Sequence, residues 1–196
     1  MNSQFRSSGT FATVALLLAS VPAAAQSRFA HRGFGLGVSL VTTSSWAWVT
    51  DSSSSSPEMR GATPSSAGFA ASISYAPVPW AGAWLGAVAS FYGESAYTDV
   101  AGGVTARLPL GRFLPYGIVG IGRTTTDAAG GFSYGYTSVG AGTEFYLTRR
   151  IALDLRFERL LQRGRGEQDQ GGASASAEEA RNRWHLGTHV HVGPGN

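Results

Sequence analysis

The chain has 196 residues and suits one domain; its formal charge of +3 is too small to argue for a nucleic-acid partner. It has no Cys, which excludes a disulfide framework, a thiol nucleophile and a Cys-ligated metal. All 15 basic residues are Arg, so a Lys-dependent phosphate loop is excluded too. Gly is abundant at 27 residues, about twice the ordinary usage of roughly 7%. Such glycines suit a sheet that bends, or one whose strands must approach closely.

The first segment reads as a secretory signal. Arg6 is its single charge, residues 11–21 are apolar and too short to span a bilayer as a helix, and Ala23-Ala24-Ala25 offers the small residues of a cleavage site. The expected division is a signal peptide over 1–25 and a mature domain over 26–196, beginning at Gln26. No other run approaches the roughly 20 apolar residues a membrane helix needs. A mature chain in a membrane must therefore form a closed barrel.

Eight segments then alternate between large apolar and small or polar residues, as strands with two unlike faces do. The first, over 33–42, sets Phe34, Leu36, Val38 and Leu40 against Gly35, Gly37 and Ser39. The second, 67–76, has Phe69, Ala71, Ile73 and Tyr75 on its apolar face. The third, 83–92, has Leu85, Ala87, Ala89 and Phe91 there. The fourth, 97–108, sets Val100, Val104, Ala106 and Leu108 against Asp99, Thr105 and Arg107. The fifth, 113–124, sets Val119 and Ile121 against Gly120 and Gly122. The sixth, 132–147, sets Val139, Ala141 and Phe145 against Ser138, Gly140, Gly142 and Glu144. The seventh, 151–158, has the clearest pattern: Ile151, Leu153, Leu155 and Phe157 alternate with Ala152, Asp154, Arg156 and Glu158. The eighth, 181–192, sets Trp184, Leu186, Val190 and Val192 against Arg183, His185, His189 and His191.

Two architectures fit these faces. In a membrane barrel the apolar face meets hydrocarbon and the charges line the lumen. In a soluble lipocalin-like barrel binding a small apolar ligand, the faces are reversed. The connections favour the first. Tight turns are expected at 77–82, 109–112 and 148–150, alternating with longer polar stretches at 43–66 and 162–179, and bacterial outer-membrane barrels show that asymmetry. Aromatics near the strand ends, including Trp46, Trp48, Tyr75, Trp80, Trp84, Phe113, Tyr116, Phe132, Tyr136, Tyr146 and Trp184, suit interfacial girdles.

Two stretches carry a family resemblance. Leu108–Gly122, with its Leu-Pro-x-Gly-Arg-x-Leu-Pro-Tyr-Gly start, resembles the central hairpin of small outer-membrane β-barrel proteins. Gly140–Asp154 is similar to their sixth and seventh strands and the turn between them. The resemblance spans about residues 33–193. It implies an all-β fold: the eight-stranded antiparallel up-and-down transmembrane barrel of the outer membrane protein A and X type. The peptidoglycan-binding domain of outer membrane protein A is not expected here. The last strand ends Val192-Gly193-Pro194-Gly195-Asn196, without the terminal aromatic residue usual in such proteins.

The expected lumen holds Arg107, Arg156 and Arg183 with Glu144, Asp154 and Glu158, which should pair because isolated buried charges are costly. Arg156 or a neighbour is expected to separate Glu144 from Asp154. Eight strands leave a barrel just wide enough to be filled by side chains, so no open channel is expected. His185, His189 and His191 share one strand face, and His-x-His can bind zinc or copper. His185 and His189 lie about 13 Å apart at roughly 3.3 Å per residue, too far to share one ion, so the histidines are read as hydrogen-bonding residues and no metal ligands are assigned. Lipid A deacylase barrels use a His and a Ser two residues apart; here His191 follows His189 and Gly187 follows His185, so no catalytic residue is assigned. No cofactor is expected. The reading is a monomeric, non-enzymatic outer-membrane barrel in contact with lipid. It would support membrane integrity or bind a surface ligand through 43–66 and 162–179.

Overall fold

The computed structural model describes residues 32–49, 58–126, 133–162 and 178–192. They form eight strands: β1 (Gly33–Val49), β2 (Glu58–Val78), β3 (Ala81–Tyr92), β4 (Ser95–Arg107), β5 (Phe113–Thr126), β6 (Ser133–Tyr146), β7 (Ile151–Gln162) and β8 (Glu178–Val192). Each pairs antiparallel with its sequence neighbours. β1 also pairs with β8, so the sheet closes into a barrel with no free edge.

The alternation read from the sequence becomes the two faces of the wall. Phe34, Leu36, Val38 and Leu40 point outward, as do Phe69, Ile73, Leu85, Val100, Val104, Val119 and Ile121. On β7, Leu155 is 47% exposed and the adjacent Arg156 only 7%. Exposed hydrocarbon encloses buried charge, the inverse of a water-soluble protein. That arrangement removes the lipocalin-like alternative, which needed the large apolar residues inside.

One end of the barrel is closed by short connections. Trp80 follows Pro79 between β2 and β3, and the Arg107 amide donates to the Trp80 carbonyl at 2.9 Å. Between β4 and β5, Leu110 and Phe113 exchange backbone hydrogen bonds of 2.8 and 3.1 Å. Gly111 sits between them with φ of 66°, a conformation that costs glycine no side-chain clash. In the turn after β6, the Thr148 hydroxyl accepts from the amides of Arg150 and Ile151. Phe34–Tyr75 and Phe113–Phe145 ring pairs, each with centroids 4.9 Å apart, belt the wall at this end.

The other end differs from expectation. Residues 43–66 read as one polar loop, but β1 continues to Val49 and β2 begins at Glu58. The hairpin stays paired there, with irregularities between Thr43 and Ser45 and between Trp46 and Ala47. The alternation is broken where Ser and Thr occupy both faces, at 43–45 and 63–66, which erases the period-two signal there without preventing backbone pairing. The remaining loop residues, 50–57, and most of the 162–179 stretch, 163–177, lie outside the described residues. So do residues 1–31, which include the expected signal, and Phe132.

Candidate functional site

Every charged residue assigned to the lumen is found there. Arg107, Glu144, Asp154, Arg156, Glu158, Arg183, His185 and His191 are buried, and His189 is nearly so. The structure adds Asp99 and Arg181 to the set. It also moves four aromatics from the expected girdles into the lumen: Tyr116, Tyr136 and Tyr146 are buried, and the partly buried Trp84 packs against Tyr136. Gly142, across the β5–β6 ladder from Tyr116, leaves the space its ring occupies; a Cβ there would collide with the Tyr116 hydroxyl end.

The middle of the lumen is held by guanidinium groups. Arg183 Nη2 donates to Asp99 Oδ2, and both side chains are almost fully buried. Thr124 donates to the other Asp99 oxygen and accepts from Arg181 Nη2 at 2.9 Å. Arg156 Nε lies 3.0 Å from Glu158 Oε1. Its Nη2 donates to His185 Nδ1 at 2.9 Å, and its guanidinium carbon sits 5.5 Å over the Trp84 ring. Arg156 therefore serves Glu158 and does not stand between Glu144 and Asp154. Its reach is taken up two residues along its own strand face.

His185 has the residues of a nucleophilic triad around it without the geometry. Ser39 Oγ is 3.3 Å from His185 Nδ1, and Glu158 Oε1 is 3.8 Å from Nε2. A general base must offer a free nitrogen to the hydroxyl. Here Arg156 already donates to that same Nδ1 at the shorter distance. The group is a packed polar contact.

At the short-turn end the partners change. Glu144 on β6 faces Asp154 on β7 directly across the ladder. Glu144 Oε1 lies 2.8 Å from His189 Nδ1; Oε2 lies 3.1 Å from His191 Nε2 and accepts from the Tyr146 hydroxyl at 2.8 Å. The same hydroxyl is 3.2 Å from His191 Nε2. Asp154 accepts from the Tyr116 hydroxyl at 2.6 Å. Two small residues let these groups meet. Ala152, on the strand between, pairs with Tyr146 on one side and His189 on the other. Gly37 pairs with His189 from β1, and a Cβ on it would overlap the imidazole. His185 is not part of this cluster, as its strand spacing required. Glu144, which the sequence reading assigned to arginine partners, is the residue that joins His189 to His191.

Comparison with known proteins agrees with the architecture. Residues 11–177 match the family described as "Outer membrane protein beta-barrel domain". Among solved structures, the outer membrane protein OprG from Pseudomonas aeruginosa superposes with a TM-score of 0.52 at 12% identity, covering 84% of this chain and 98% of that one. Ail, the attachment invasion locus protein of Yersinia pestis, is similar at 16% identity and a TM-score of 0.45, with 82% and 99% covered. The outer membrane protease OmpT from Escherichia coli also appears, at 11% identity and a TM-score of 0.40, with 82% and 97% covered. No curated protein sequence matches. The inside-out wall, the closed eight-stranded ladder and a family match over most of the sequence place this chain in the outer-membrane protein β-barrel family.

Proposed function

We propose that this outer-membrane barrel is non-enzymatic, with a lumen plugged by its own polar side chains. It acts through membrane integrity or through surface contacts made by its long loops. The observation that carries this reading is the interlocked mid-lumen lattice of Asp99, Arg183, Arg156, Glu158 and His185, where a pore or catalytic cleft would otherwise lie. The cavity between those residues, bounded also by Trp84 and Tyr136, measures about 10 Å³, room for about one water. The occupied Nδ1 of His185 argues against a hydrolytic role for Ser39.

Purified protein in planar bilayers should give no stepwise ion conductance; reproducible single-channel steps in the unmodified protein would overturn the plug. On intact cells, added protease should cut within 50–57 or 163–177 and spare the 147–150 turn. Cleavage only after outer-membrane disruption would invert the topology. The mature chain should begin at Gln26, which the mass of the protein extracted from outer membranes checks directly.

A further inference from the structure

We propose that Glu144, His189 and His191 form a binding site for a transition-metal dication of the zinc class at the short-turn end of the lumen. One ligating atom from each of the three residues lies within 4.8 Å of the others. Two imidazoles and a carboxylate are a donor set that zinc accepts, with a further position left for water. Donor atoms about 2.0–2.2 Å from one ion stand roughly 3–4 Å apart. The His189 Nδ1–Glu144 Oε1 and His191 Nε2–Glu144 Oε2 separations are 2.8 and 3.1 Å. A small rotation of the side chains converts this hydrogen-bonded cluster into a chelate, and the two rings already stand near perpendicular with centroids 6.0 Å apart.

Three further observations converge on the same place. Glu144 and Asp154 face each other across the β6–β7 ladder, and like charges so placed repel. Asp99 and Glu158 each have an arginine ion pair, whereas the partners of Glu144 and Asp154 are imidazoles and phenols. A dication would add positive charge beside two carboxylates that, among the described residues, have no arginine within ion-pair distance. The Tyr146 hydroxyl bonds the Glu144 carboxylate, the kind of outer support that fixes a metal-binding carboxylate. The site is also within reach of the barrel mouth: His191 is the second-last residue of β8, and its amide donates to Arg150 in the short turn at 2.7 Å.

The test uses tag-free protein in detergent micelles, stripped with chelator and titrated with Co²⁺ as the visible probe. Binding should appear as one Co²⁺ per chain, with d–d bands stronger than those of the aqueous ion, and Zn²⁺ should bleach them. Glu144→Gln and His191→Ala should abolish the bands. Tyr146→Phe should weaken binding about 10- to 100-fold. His31→Ala, at the one histidine of the sequence outside β8, should leave the bands intact, and their loss there would overturn the assignment. A spectrum of aqueous Co²⁺ at millimolar metal with the unmodified protein would show that the cluster is hydrogen-bonded only, whatever the variants do. That result would leave the conductance prediction untouched, so the two readings fail separately.

Discussion

The middle of the lumen and its short-turn end solve the same problem with different chemistry. Both bury carboxylates inside a wall of hydrocarbon. In the middle, Asp99 and Glu158 meet Arg183 and Arg156, whose charge is permanent. At the end, Glu144 and Asp154 meet two imidazoles and two phenols. Guanidinium pairs lock a geometry, and imidazoles and phenols leave a carboxylate free to change partner. The middle is therefore the fixed part of the lumen, and the end is the part able to exchange a partner. The largest expected effect tests the first half of that contrast. Arg183→Met leaves Asp99 charged, buried and without its main partner. It should cost about 3–5 kcal/mol in urea unfolding from lipid vesicles. Adding Asp99→Asn to the same chain should recover part of the loss. If Arg183→Met behaves like an exposed-loop substitution, the middle is not the structural half.

A second contrast runs through the wall, and one adjacent pair isolates it. Leu155 and Arg156 are neighbours on β7 with opposite exposures. Leu155→Arg should destabilise the barrel in lipid by roughly 2–4 kcal/mol if it lies near the midplane. Arg156→Leu acts through the lumen instead. It unpairs Glu158 and removes the donor from His185 Nδ1, so its signature is increased bilayer conductance. A Leu155→Arg variant as stable in lipid as the unmodified protein would mean that this face does not meet hydrocarbon.

The wall was legible in the sequence because strand geometry has a period of two, and large apolar residues keep it over most strands. It failed where Ser and Thr fall on both faces, at 43–45 and 63–66. The lumen was half legible. Parity alone puts Tyr116, Tyr136 and Tyr146 on the inward face, since they share it with Gly120, Ser138 and Glu144. Aromatic residues near strand ends suit a girdle equally well, and that resemblance hid them. Asp99 likewise shares the face of Arg107 on β4. The Glu144–His189 meeting was not legible. The two residues are 45 positions apart and lie on strands separated by β7. Their approach depends on two ladder registers and on the smallness of Ala152 and Gly37. A one-residue slip in either ladder would turn one of them to the lipid.

The smallest expected effect sharpens the first contrast from its other side. Tyr116→Phe removes the hydroxyl that donates to Asp154 and changes nothing else in shape. Asp154 is almost fully buried, so losing a neutral donor should cost about 1–3 kcal/mol. That is less than the loss of Arg183, because the group removed is a neutral hydroxyl and not a counter-charge. The measurement is the same urea titration in lipid, run beside Arg183→Met. Two equal losses would mean that phenol and guanidinium hold their carboxylates alike, and the division of the lumen into a locked middle and an exchangeable end would fall. A smaller loss for Tyr116→Phe, with the conductance of that variant still at baseline, would place the mechanical load on the arginine lattice alone.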